Sequence, residues 1–202
     1  MQTFLNLLDT LNTAPVADRP ATEQTILATY QRCKAVLALD MSGFTLTVRR
    51  DGILAYLCQI RRMHQLTSPI VLAHQGQVIK NEADNLLAVF DDPAQAIQAA
   101  LAMVRVSQSA DSGVSADRGA LTPVAFSIGV DFGEVLLIDG VDCFGDAVNL
   151  AYKLGEDLAR PGEVLVTQRL HEALGQASRW QLKPLDFSVA GVEVLAFAVE
   201  AK

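Results

Sequence analysis

Apolar positions along the chain follow two rhythms, one of strands and one of helices. Val36-Leu37-Ala38-Leu39 is an unbroken apolar run between Lys34 and Asp40, and four apolar residues in succession predict a strand covered on both faces. Upstream, Phe4, Leu7, Leu8 and Leu11 share one helical face over residues 3–12. Pro15 and Pro20 break that pattern, and a second helix is predicted from Ala21 to Cys33, capped by Thr22. Beyond Thr45 a polar patch, Arg49 to Gly52, precedes a long helical pattern with Ile53, Leu54, Leu57, Ile60 and Met63 on one side, which Pro69 is expected to interrupt. Gln77–Lys80 and Leu86–Phe90 predict two strands, joined by a hairpin loop, Asn81–Asn85, that carries Asp84. Asp92-Pro93 opens another helix with Ala96, Ile97, Ala100, Leu101 and Val104 at helical spacing.

The rest of the chain repeats this alternation. Ser107–Gly119 predicts a flexible loop, and Val124–Asp131 with Gly133–Ile138 predicts a second hairpin. A helix follows from Ala147 to Ala159, then a Pro161-Gly162 turn, a strand Glu163–Val166 and a short helix that Thr167 caps. Trp180–Leu182 and Val192–Phe197 suggest a closing hairpin. The order predicts an α+β fold in which helices pack against one mixed or antiparallel sheet. Residues 1–32 form an N-terminal helical extension, either a packing appendage or a dimer contact, and residues 33–202 form one domain.

Composition narrows the picture. The 202 residues suffice for one real core. A chain that is 50% hydrophobic and 19% charged is not disordered. No apolar run reaches the roughly 18 residues a membrane span needs, and the first residues lack a signal-peptide pattern. Cys33, Cys58 and Cys143 form no CxxC pair, which predicts reduced, mostly buried thiols in a cytoplasmic protein. A net charge of −7 with no basic stripe argues against nucleic acid as a partner. His64, His74 and His171 are scattered and are given no metal role.

The candidate chemistry lies at strand ends. Asp40 at the sheet rim is followed by Met41-Ser42-Gly43-Phe44-Thr45, a turn whose backbone N–H groups can converge on a phosphate. If the strands of Asp40 and Asp84 are neighbours, their carboxylates repel unless a cation lies between them. A divalent-metal site for phosphoryl or nucleotidyl transfer satisfies that condition. The same two residues can also be read as an ordinary turn and cap.

Four segments together carry a family resemblance: Asp40–Thr45, Lys80–Phe90 (KNEADNLLAVF), Ser127–Glu134 (SIGVDFGE) and Asp142–Val166 (DCFGDAVNLAYKLGEDLARPGEVLV). From about Lys34 to Leu174 the chain resembles the class III nucleotidyl cyclase catalytic domain, with its ferredoxin-like, palm-like sheet. The resemblance implies that residues 33–202 form such a domain. It implies that Asp40, Asp84 and the Met41 carbonyl hold two Mg²⁺ or Mn²⁺ ions, and that the Gly43-Phe44-Thr45 backbone holds the β- and γ-phosphates. It implies that Lys80 reads adenine N1 and Asp142 accepts from the adenine N6 amine, so ATP is favoured over GTP.

The family's pattern further implies that Asn149 orients the ribose. Lys153 stands where the family usually has an Arg on the α-phosphate, and it keeps the charge without the planar fork. Ala83 replaces a usual Gly, Glu82 a usual apolar residue, and Ser127 a common Arg. In the family the site lies between two subunits, which implies a homodimer that divides Asp40 and Asp84 from the residues reading the nucleotide. The implied reaction is ATP to 3′,5′-cyclic AMP and pyrophosphate, under an unknown upstream regulator. A catalytically degenerate nucleotide-binding or dimerisation module is the alternative. A phosphohydrolase or polymerase-like enzyme is a third reading, against which the Lys80, Asp142 and Asn149 set speaks.

Overall fold

The computed structural model describes residues 1–111, 125–138, 140–175, 180–189 and 192–200. Two helices, α1 (Gln2–Thr13) and α2 (Arg19–Tyr30), lead directly into β1 (Gln31–Met41). Gln31, Arg32 and Cys33, expected at the end of the second helix, are strand residues because β1 pairs with a long neighbour along its whole length. The Arg49–Gly52 patch is not irregular: α3 (Phe44–Asp51) occupies it, and α4 (Ile53–Ala73) follows after Gly52.

Then come β2 (Gln77–Glu82), β3 (Asn85–Phe90) and α5 (Pro93–Asp111). The hairpin loop is two residues, Ala83 and Asp84, rather than five. Helix α5 starts with Asp92 Oδ1 accepting from the Ala94 N–H at 2.8 Å, and it continues through Ser107–Asp111, where a loop was expected. The rest of that expected loop, up to Gly119, lies outside the described residues.

The expected hairpin at 124–138 is instead one strand, β4 (Phe126–Ile138). It pairs antiparallel with β1 from Gln31↔Leu136 to Met41↔Phe126, so the Phe132-Gly133 step is held straight by a partner of matching length. A short β5 (Asp142–Phe144) turns back on β4. Next are α6 (Asp146–Tyr152), a π-helical turn (Lys153–Leu158), β6 (Val164–Thr167), α7 (Gln168–Leu174), β7 (Gln181–Val189) and β8 (Val192–Glu200). Thr167 Oγ1 caps α7 by accepting from the Leu170 N–H at 3.3 Å, and β7 and β8 form the closing hairpin. The sheet order is β2-β3-β1-β4-β6-β8-β7, with β4 and β6 parallel and the other pairs antiparallel, so the sheet is mixed.

The apolar run of β1 is buried on both faces, as its pattern predicts. Leu37, Leu39 and Met41 join a core with α4, α5 and α7, while Val36 and Ala38 pack with Leu87, Val89 and the α6 residues Ala147, Val148 and Ala151. Burying a large apolar side chain contributes roughly 1.5–3 kcal/mol, so a doubly covered β1 anchors the fold. α1 and α2 pack through Phe4 and Ile26 on Ile138 at the end of β4.

Helix α4 follows its predicted apolar face only in part, with Met63 buried and Ile60 packed against the core while the start of that face is exposed. Tyr56, Gln59, Met63, Thr67 and Val71 are buried, whereas Ile53, Leu54 and Leu57 are 53%, 74% and 51% exposed. Pro69 stays within the helix. Both Pro69 and Gln65 are exposed, so the carbonyl that loses its N–H partner faces water. Cys33 and Cys58 are exposed and only Cys143 is buried, against the expectation of mostly buried thiols. No helix among the described residues is long and apolar enough to cross a membrane.

Candidate active site

Strand pairing places the two aspartates. β1 and β3 are neighbours, and their register sets Asp40 opposite Asn85, the residue after Asp84. Alternation along β1 puts Asp40 on the α6 face with Val36 and Ala38. Burial, and then the charge of Asp84, push the Asp40 carboxyl above the usual carboxylate range, with the Met41 backbone opposing in part. Asp84 Oδ2 accepts a 2.6 Å hydrogen bond from the Tyr56 hydroxyl. Burial and this bond push the Tyr56 phenol well up.

Around this pair the donors are hard oxygens. Asn85 Nδ2 donates to Glu156 Oε1 at 2.9 Å, while Asn85 Oδ1 is buried with no hydrogen-bond partner. Burial raises the Glu156 carboxyl, and Asp40, Asp157 and Asp84 add to the effect. Among the described residues no three His, Cys, Asp or Glu side chains close into a metal cage. Two carboxylates, an orphaned amide oxygen and backbone carbonyls fit Mg²⁺ or Mn²⁺, which bind through one or two carboxylates plus substrate phosphates.

The turn after β1 also differs from a simple loop. Gly43 has φ +101° and is the N-cap of α3, so Phe44 and Thr45 lie in that helix's first turn. The opening N–H groups of a helix have no intrahelical acceptor and favour an anion. Ser42, by contrast, is tied down: its N–H donates to the Ala125 carbonyl at 3.0 Å, and its hydroxyl lies 3.3 Å from that of Ser127.

Lys80 and Asp142 meet although 62 residues separate them. Lys80 Nζ lies 3.0 Å from Asp142 Oδ1 and 3.6 Å from Glu82 Oε2. The bond to Asp142 raises the lysine pKa against a smaller opposing effect of burial. Asp142 Oδ1 also accepts from the Cys143 N–H at 2.8 Å, which fixes its carboxylate. The Cys143 thiol beside it is pushed up to about 12, first by burial and then by Asp142.

Asn149 is exposed on α6, and Lys153 starts the π-helical turn, where its ammonium pairs with Asp157. The start of α6 is held from below. Buried Asp131 accepts from Thr167 Oγ1 and Arg169 Nη2, and Arg169 also reaches Asp146 at 2.9 Å. Such a network keeps a buried carboxylate fully paired.

Thus the structure brings Asp40 together with Asp84, and Lys80 together with Asp142. Asn149 and Lys153 lie on α6 and its π-helical continuation, the segment whose Glu156 reaches Asn85. Tyr56, Asn85 and Glu156 were not singled out from sequence. Asn85 adjoins Asp84, which is a usable signal; Tyr56 and Glu156 reach the site only through tertiary packing.

No protein-family model matches the chain. It is 31% identical over 142 residues to "Putative adenylate cyclase 3" of Rhizobium meliloti (strain 1021), an alignment that covers 70% of this chain and 23% of that protein. The chain therefore spans about a quarter of the length of this curated relative. Among solved structures, an adenylate/guanylate cyclase/hydrolase from Silicibacter pomeroyi matches with a TM-score of 0.70 and 26% identity, covering 85% of this chain and 98% of that one. The guanylyl cyclase Cya2 matches with a TM-score of 0.72 and 21% identity, over 84% and 92% of the two chains. In fold and in sequence the chain is similar to the class III adenylate/guanylate cyclase catalytic domains.

Proposed function

We propose that this chain is an adenylate cyclase catalytic domain that converts ATP to 3′,5′-cyclic AMP and pyrophosphate at an interface between two copies. The meeting of Lys80 and Asp142 carries the choice of ATP. A cationic donor beside a carboxylate acceptor complements adenine N1 and N6, whereas guanine presents the reverse pattern and would leave both groups unpaired.

Asp40, Asp84 and the Met41 carbonyl would hold two Mg²⁺ or Mn²⁺ ions, which when bound supply charge neutralisation at the triphosphate and a lowered pKa at the ribose 3′-hydroxyl. The first-turn N–H groups of α3, from Gly43 to Thr45, would cradle the β- and γ-phosphates. Asn149 would orient the ribose, and Lys153 would meet the charge that develops on the α-phosphate. The 3′-oxygen would attack the α-phosphorus in line, its proton passing to solvent water, and the bond to the leaving pyrophosphate would break.

Within one chain, Lys80 is engaged by Asp142 and Glu82, not by the Asp40–Asp84 pair. That separation supports two half-sites that become whole only when a second copy faces the first. The apolar residues Ile53, Leu54 and Leu57, exposed in a single chain, agree with a surface that another copy covers. The pairing of Lys153 with Asp157 favours a second reading, a degenerate cyclase-fold module that binds nucleotide without turnover.

ATP turnover with Mn²⁺ and then Mg²⁺, read as cyclic AMP, separates the two. Asp40→Ala and Asp84→Ala should each reduce the rate about 10²–10³-fold, since metal charge stabilisation is worth several kcal/mol. A folded dimer that forms no cyclic nucleotide from ATP or GTP with either metal would leave only the module reading.

A further inference from the structure

We propose that Tyr56 is a positioning residue that sets the orientation of the Asp84 carboxylate for the divalent ion; this rests on the cyclase reading above. Tyr56 is only 3% exposed, packed in the main core on the inner face of α4. A hydroxyl in such a core needs a partner. It finds Asp84 Oδ2 at 2.6 Å, 28 residues away, at the tip of a hairpin.

The loop at that tip is two residues long, and Ala83 has φ +49°. Neither feature fixes the rotation of the Asp84 side chain. α4 supplies what the loop lacks: the Tyr56 hydroxyl holds the carboxylate itself.

The bond occupies a lone pair on Oδ2 and fixes the carboxylate plane, so the carboxylate offers its remaining lone pairs in one direction. Groups that hydrogen-bond a metal-ligating carboxylate commonly change metal affinity 10–100-fold when removed. The hydroxyl can be deleted without altering the packing of the ring, which makes Tyr56→Phe the natural probe.

Mn²⁺ alone is titrated into the full chain, and binding is followed by electron paramagnetic resonance for wild type, Tyr56→Phe and Asp84→Ala, beside thermal melts. Tyr56→Phe should melt within a few degrees of wild type and bind Mn²⁺ about 10–100-fold more weakly, while Asp84→Ala loses binding. An unchanged affinity in Tyr56→Phe, with binding lost in Asp84→Ala, overturns the role of Tyr56 and leaves the cyclase reading intact. No Mn²⁺ binding by wild type overturns the metal site on which both rest.

Discussion

At Ala83 the backbone takes φ +49° at the first of the two residues joining β2 to β3. Two-residue hairpin loops with positive φ at this position prefer glycine. A left-handed conformation costs an L-residue roughly 1–2 kcal/mol. Glycine would avoid that cost but would lose roughly 0.4–1 kcal/mol through its freer unfolded state. Ala83→Gly should therefore stabilise the chain by about 0.5–1 kcal/mol, seen as a higher urea midpoint with an unchanged slope. A lower midpoint would show that the alanine methyl contributes packing that outweighs its strain. The same residue illustrates what spacing conveys and what it does not. The positions of Lys80, Asp84 and Asp142 stand in the sequence as spacings, whereas the φ of Ala83 and the hydroxyl of Tyr56 at Asp84 exist only once α4 packs beside the hairpin.

At the scale of elements, most strands and helices were legible, because buried runs and helical periods record which faces meet the core. The failures share a cause. In α4 apolar residues lie on more than one side, and the stripe that faces the core contains Gln59 and Thr67, so periodicity finds the helix but only part of its inward face. In β4 the glycines resemble turn signals, yet Gly129 is there for close approach rather than for turning. A Cβ on Gly129 would overlap the Ala151 carbonyl oxygen and the Gly155 nitrogen, and a Cβ on Gly155 would lie 2.9 Å from the Ala38 carbonyl oxygen. Where these backbones touch, the helix widens: the Ala159 N–H bonds the Leu154 carbonyl at 2.7 Å, five residues back. A helical pattern running to Ala159 conceals that widening. Gly129→Ala should force α6 and its π-helical turn off the sheet, and overpacking of this kind costs about 1–3 kcal/mol. Thermal unfolding should show that loss. Because Asn149 and Lys153 ride on the displaced segment, nucleotide turnover should fall further than the melting temperature alone accounts for.

For the whole molecule, the candidate residues are spread over separate elements. Asp40 and Asp84 belong to the β1 and β2–β3 ends, Asn149 and Lys153 to α6 and its continuation. If a catalytic centre takes the first set from one copy and the second from another, a two-fold dimer holds two equivalent centres. Asp40→Ala and Asn149→Ala then damage opposite halves. A homodimer of either variant has no intact centre. A mixed dimer concentrates both defects in one centre and leaves the other intact. With equal amounts and free exchange, half of the dimers are mixed and each keeps one centre of two, so the mixture should recover about a quarter of wild-type turnover. The recovered rate should also fall on dilution below the dimer dissociation constant, while the folded fraction stays constant. Two inactive variants that stay inactive when mixed, despite demonstrated exchange of subunits, would place the whole centre within one chain. Lys80 would then have to leave Asp142 to reach nucleotide held by Asp40 and Asp84 of the same copy, against the 3.0 Å pairing that now holds it.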